Sequence, residues 1–314
     1  MMYALILFQW LLVLVLSPLT VGMVRKAKAQ FQNRQGAPIF LPYLQLVSLL
    51  RKEMTITRHS SWVFRTVPFV VLGSALFVAL VAPTVLFGVL PASMDNIFLV
   101  GAVLALGSVF LVFGGMDTAS TFGNMGSSRE MTLAALVEPA LYLSLATLAM
   151  AAGTWSMGGI VEYFAWSHWI AVAPAIVTLV ALLFVVLAEN ARYPVDNPAT
   201  HLELTMVHEA MILEYSGPYL AMLEYASAIK LTVMTALVVH FALPFGFAHT
   251  PFSVSSLGLG VASFVGALAL GAGLIAFIES TIVKMRFYRM QEYMSLAFFL
   301  ALAGLVVELV VRFH

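Results

Sequence analysis

The segment Ala188–Gly217, AENARYPVDNPATHLELTMVHEAMILEYSG, decides how the rest of this chain is read. It gathers Glu189, Arg192, Asp196, Glu203, Glu209 and Glu214, together with His201 and His208, between two long apolar runs. The whole chain has only fifteen acidic residues. Carboxylates massed at a membrane boundary are costly unless they are paired, hydrated or chemically used.

The flanking composition makes that boundary a membrane. The 314 residues are 62% hydrophobic and 10% charged, against about 25% charged residues in an ordinary soluble domain. This defines an all-α polytopic membrane bundle, expected to form a single integral membrane domain over 1–314. Runs of about twenty apolar residues each cross a bilayer as a helix. Eight such runs are expected, at 3–23, 67–90, 97–115, 130–153, 169–188, 225–245, 256–280 and 291–311. Gly101, Gly107, Gly114 and Gly153 permit close helix approach. No internal repeat supports an inverted-repeat transporter.

Basic residues set the expected orientation. Fourteen of the fifteen Lys and Arg residues fall on one side of the eight-span arrangement, eight of them in the loop 24–66, and only Arg312 falls on the other. The positive-inside rule puts the basic side in the cytoplasm and both termini outside. Arg25, Lys26 and Lys28 follow the first apolar run instead of preceding it, which reads as an uncleaved first span and not a signal peptide. A formal net charge of zero gives no case for nucleic acid. The absence of cysteine excludes disulfides, thiolate-held iron–sulfur clusters and cysteine nucleophiles within this chain.

The inner loops carry the candidate chemistry. Leu41–Lys52 has apolar residues at helical spacing and a basic end, which suits a helix lying along the membrane surface or a plain amphipathic connector. Pro194 and Pro198 stop the fifth span, and a short helix is expected from about Ala199 to Leu213. On it, His201, Thr205, His208 and Glu209 share one face, and Glu203 falls on the apolar side. There Glu203 either exchanges protons near neutrality or accepts hydrogen bonds from an arginine such as Arg192. Position 212 is Ile, so the paired histidines of a zinc helix are missing and no metal site is expected.

A second acidic set lies in the spans. Glu130 and Glu138 are eight residues apart, hence nearly on one face and about 12 Å apart along the helix. Glu189, Glu224, Lys230 and Glu279 sit at span ends. Intramembrane ionisable groups mark proton or ion paths, or else form structural pairs such as Glu224 with Lys230. Glu308 is expected to reach the headgroups at the outer interface. Asp117 lies in a Gly- and Ser-rich loop, GGMDTASTFGNMGSSRE, suited to holding a ligand or docking a partner.

These residues resemble a known family. Glu189, Arg192, Pro194 and Asp196, a later Glu203, and Glu214-Tyr215-Ser216-Gly217 are similar to subunit 1 of respiratory complex I and its relatives. Asn33-Arg34-Gln35-Gly36, then Pro42-Tyr43 and Leu50-Arg51-Lys52-Glu53, resemble that family's first inner loop and amphipathic helix. Gly115-Met116-Asp117-Thr118, Gly126-Ser127-Ser128-Arg129-Glu130, Glu138-Pro139 and Asp196–Leu204 resemble the hydrogenase-4 and formate hydrogenlyase branch.

The resemblance implies a non-catalytic subunit that anchors a peripheral redox arm and couples it to proton or sodium movement. The implied acidic path runs through Glu130, Glu138, Glu189, Glu203, Glu209, Glu214, Glu224 and Lys230. The implied docking residues are Arg34, Arg51, Lys52, Asp117, Arg129, Arg192 and Asp196. Hydrogenase-like large and small subunits, antiporter-like membrane subunits and lipid are the implied partners. The nickel–iron centre and iron–sulfur clusters would reside in those partners, and quinone enters only in the quinone-reducing branch. Gln35, Ala37 and Asn197 depart from the family pattern and alter the docking surface and the mouth of the path.

Overall fold

The computed structural model describes residues 2–57, 60–86, 94–166, 173–196, 206–244, 254–282 and 287–313. Among them are eleven helices and no strand. They are α1 (Met2–Phe31), α2 (Leu41–Leu50), α3 (Trp62–Val81), α4 (Ile97–Asp117), α5 (Thr121–Ala152), α6 (Met157–Trp166), α7 (Ala173–Glu189), α8 (His208–Ile212), α9 (Gly217–Ala242), α10 (Val254–Thr281) and α11 (Phe287–Phe313). Seven of them are long and apolar enough to cross a membrane. The expected fifth span, 169–188, is not among these seven: α7 there has 17 residues and reaches about 26 Å at 1.5 Å per residue.

Helix ends follow local sequence. Ser61, Asn96 and Ser120 accept hydrogen bonds from Val63, Phe98 and Gly123 N–H at the starts of α3, α4 and α5. Gly153, at φ +68, closes α5 in the left-handed region that glycine adopts without strain. The core runs along α9, whose apolar stretch is 67% buried, more than that of any other spanning helix. α9 packs against α1, α3, α7 and α10, and α5 packs against α4, α7 and α11. Leu44, Val47 and Leu50 leave α2 with an exposed apolar face, as a surface-lying helix requires.

Two expectations change. The Gly- and Ser-rich stretch before Glu130 is no ligand-holding loop, because α4 runs to Asp117 and α5 starts at Thr121. Its glycines are packing positions: a Cβ on Gly126 would stand 2.8 Å from Val207 O and 2.9 Å from Ala210 Cβ. The outer connection near 154–168 contains α6, capped by Asp95, which accepts from Ser156 Oγ at 2.5 Å and Gly158 N at 3.2 Å. Glu308, expected to face outward toward the headgroups, is instead 7% exposed. It continues the buried stripe Ala297, Ala301 and Gly304 with which α11 packs on α5 and α7.

Polar contacts sort the two ends of the bundle. At one end Gln9 bonds to Ala82, Val85 and Leu86, and Arg312 Nη1 donates to Met150 O at the end of α5. At the other end lie α2, α8, the segment 189–196 and most of the charge. Met2 and Phe313 therefore share an end.

Candidate functional site

The charged end holds two adjoining cavities. The larger, about 510 Å³, lies between α1, α2, α8 and α9. Arg25, Lys52, Arg192, Asp196, His208, Glu209 and Glu224 line it along with apolar residues of α1 and α2. Arg25 Nη1 donates to Gln45 Oε1 at 2.9 Å, joining α1 to α2. The Tyr43 hydroxyl, donating to Val15 O, ties the same two helices together, and burial raises its pKa. Gly22 allows this closeness, since a Cβ there would meet Ile39 O at 2.0 Å.

The smaller cavity, about 50 Å³, lies deeper among α3, α4, α5, α7 and α9. Glu130, Glu189, Lys230, Ser74 and Ser108 line it. Lys230 Nζ sits 2.6 Å from Glu189 Oε1, and Ser108 Oγ donates to the same oxygen at 3.4 Å. Lys230 thus pairs with Glu189 on α7 and not with Glu224 on its own helix. Asn190, Ala191, His208 and Ser227 line both cavities and form the partition between them. With several polar groups in its wall, a void of this size has room for a few waters, each needing only about 10–15 Å³ of such volume.

The segment 189–196 is fixed at two points. Arg192 Nη1 lies 3.3 Å from Glu279 Oε1, and Lys28 Nζ lies 2.9 Å from Glu279 Oε2. One buried carboxylate on α10 therefore joins α1 to this segment, and Lys28 also lies 4.5 Å above the Tyr193 ring. Asp196, 2% exposed, accepts both Val207 N and His208 N at 3.1 Å through Oδ2 and so caps α8 from eleven residues upstream. Burial, and next the Lys230 ammonium, lowers the His208 pKa to about 4 against the opposing pull of Asp196 and Glu189. The His208 imidazole is consequently neutral at pH 7, with one nitrogen to donate and one to accept.

The expected residues divide clearly. Glu130, Glu189 and Lys230 meet at the inner cavity, and Glu209, Glu224, Arg192, Asp196 and Lys52 at the larger one. Glu138 and Glu214 are half-buried and line neither. Arg34 and Arg51 are exposed at the charged end. Arg129 Nη1 donates to Met206 O at 3.1 Å. Asp117 Oδ2 accepts Ser61 N at 2.7 Å and Phe64 N at 3.2 Å, so it caps α3. Glu203 and His201 lie outside the described residues.

Sequence reasoning missed the polar wall of Ser74, Ser108, Asn190 and Ser227. Serines in apolar helices usually bond to their own backbone, as Ser74 Oγ does to Val71 O at 2.8 Å, so nothing in the pattern singled them out. The joint role of Lys28 and Glu279 was equally hidden. Among the described residues no group of three or more His, Asp or Glu side chains could hold a metal ion.

Fold and site define a multispanning integral membrane protein with a charged double cavity at one end of its bundle. Residues 2–311 match the family described as NADH dehydrogenase, and the chain belongs to that family. Hydrogenase-4 component C of Escherichia coli K12 is 31% identical over 293 residues, covering 93% of this chain and 91% of that protein. Formate hydrogenlyase subunit 4 of the same strain is 29% identical over 282 residues, covering 89% and 90%. An NADH-quinone oxidoreductase subunit of Rubrobacter xylanophilus is 31% identical over 223 residues, 68% of this chain and 66% of that one. A chain of the membrane-bound sulfane sulfur reductase, an archaeal respiratory membrane complex, shares the fold with a TM-score of 0.78. That match is 19% identical and covers 96% of this chain and 99% of that chain.

Proposed function

We propose that this chain is the membrane-anchoring and energy-coupling subunit of a complex-I-like membrane-bound hydrogenase or formate-hydrogenlyase-type assembly. It contributes no catalytic centre of its own. Its charged end receives the hydrophilic subunits that carry the nickel–iron and iron–sulfur groups, and its flank meets antiporter-like membrane subunits. The observation that carries this reading is that the two cavities adjoin across a shared wall of Asn190, His208 and Ser227. Charge rearranged beneath α2 would act through that wall on Glu130 and the Glu189–Lys230 pair. Glu203, Glu138 and Glu214 extend the same acidic set, and Arg34, Arg51 and Lys52 form its docking rim.

The test is Glu130→Gln in the assembled complex. The neutral amide keeps the shape of the side chain and removes its proton. Hydrogen evolution with an artificial donor should persist, and the number of ions moved per turnover should fall at least five-fold. An unchanged ratio of ions to hydrogen would end the assignment of Glu130 to the path. Glu203→Gln is expected to behave in the same way.

The larger cavity favours a second reading, as a quinone-site subunit of a respiratory dehydrogenase. Its size, about 510 Å³, and its mixed apolar and charged lining suit a small-molecule site, which typically spans about 300–1,000 Å³. Turnover that requires quinone, and that a chamber inhibitor blocks, would favour this reading. Hydrogen evolution without quinone favours the first.

A further inference from the structure

Four helices that bring polar groups to the inner cavity turn apolar one turn further from the charged end. On α3, Ser74 is followed by Val78, and on α9, Lys230 by Met234. On α4 and α7, which run the other way, Leu104 lies beyond Ser108 and Val186 beyond Glu189. These four apolar residues line a separate void of about 20 Å³ in which every lining side chain is apolar. Leu104 lines both voids and forms their common wall. On α9 the stripe continues through Leu237, Val238 and Phe241 at one-face spacing, so the apolar face toward this void is about 10 Å long at 1.5 Å per residue, while the buried Thr235 and His240 turn to α10.

A void of this size without polar walls stays dry, because a water needs two to four polar partners. A hydrated proton crossing the layer would have to shed those partners. We propose that this layer is an insulating plug. It makes the inner cavity blind toward the far end of the bundle, so that charge reaching Glu130 and Lys230 does not run straight across the membrane. The purpose given to the plug rests on the acidic-path reading. The seal itself is a property of the resting protein.

The experiment uses the whole complex in liposomes under an imposed pH gradient, with no electron donor present. The isosteric triple change Val78→Thr, Val186→Thr and Val238→Thr, and separately Leu104→Asn with Leu237→Asn, should speed decay of the gradient at least ten-fold. Leu145→Met, which keeps the layer apolar, should match the wild type. An assembled complex of either polar design that holds the gradient as well as the wild type overturns the plug. The wild type supplies a readout that does not depend on variant folding. Radiolytic labelling in 18O-water should mark Leu111 and Leu223 of the inner cavity and leave Leu145, Leu182 and Leu237 unmarked, and label on the last three also overturns it. Failure of the acidic path is separate, because it shows only during turnover of Glu130→Gln.

Discussion

His208 shows how one residue is set by its surroundings. Its folded pKa of about 4 lies below the ordinary histidine value, with burial the main cause. A base whose folded pKa is lowered binds fewer protons folded than unfolded between those two values. Its contribution to stability is therefore complete above about pH 6.5 and is lost as pH falls from there toward 4. Thermal inactivation of the solubilised complex should steepen across that window, and His208→Gln should flatten that part of the profile. The Glu189–Lys230 pair makes a second residue-scale prediction. Both side chains are largely enclosed, at 11% and 21% exposure, and removing one partner of a buried pair costs about 3–5 kcal/mol. Lys230→Met should lower the midpoint of thermal unfolding in detergent strongly, whereas Lys230→Met with Glu189→Leu should recover most of the loss. Coupling should fail in both, which separates the stability of the pair from its use.

At the scale of elements, α8 is five residues long and depends on what holds it. Gly126 and Gly115 let α5 and α4 close onto it, since added Cβ atoms would come within 2.8 Å of Val207 O and 3.1 Å of Met211 Cγ respectively. Gly126→Val must displace Val207, and with it one of the two N–H groups that Asp196 accepts. Overpacking of this kind costs about 1–3 kcal/mol, and the expected result is a complex that assembles poorly and exchanges the amides of α8 quickly. Asp117 serves the start of α3 in the same manner. Asp117→Asn keeps an accepting oxygen and should be near neutral in stability, and Asp117→Ala should cost about 1–2 kcal/mol, as a lost helix cap does. The spans and the surface helix α2 were legible in the sequence because apolar run length and helical spacing report local burial. The helical reach of α5 back to Thr121 was not, because glycine and serine read as loop when their real role is close packing against another helix. Pairs across helices stayed hidden for a related reason. Periodicity gives the face of one helix, and nothing in it joins Arg192 to Glu279, 87 residues away.

Across the whole molecule, the alternation of long helices puts Met2 and Phe313 at one end and the double cavity at the other. Gln9 meets Ala82 to Leu86 at the first end, and Asp117 meets the start of α3 at the second. Charge follows the same division. Lys28, Arg34, Arg51, Lys52, Arg129 and Arg192 all lie at the cavity end, and Arg312 lies at the other. Translocation of clustered Lys and Arg is disfavoured, so the cavity end should face the cytoplasm, the side on which the proposed function places a hydrophilic redox arm. The absence of native cysteine makes this directly measurable. Gln32 is exposed just past the inner reach of α1, and Met94, 44% exposed, lies just before α4 at the opposite end. A membrane-impermeant maleimide added to intact cells should label Met94→Cys and spare Gln32→Cys, and inverted vesicles stripped of peripheral proteins should reverse the pattern. Labelling of Gln32→Cys in intact cells would turn the bundle over. The charged double cavity would then open away from any cytoplasmic electron donor, and the coupling role would have to be abandoned together with the orientation.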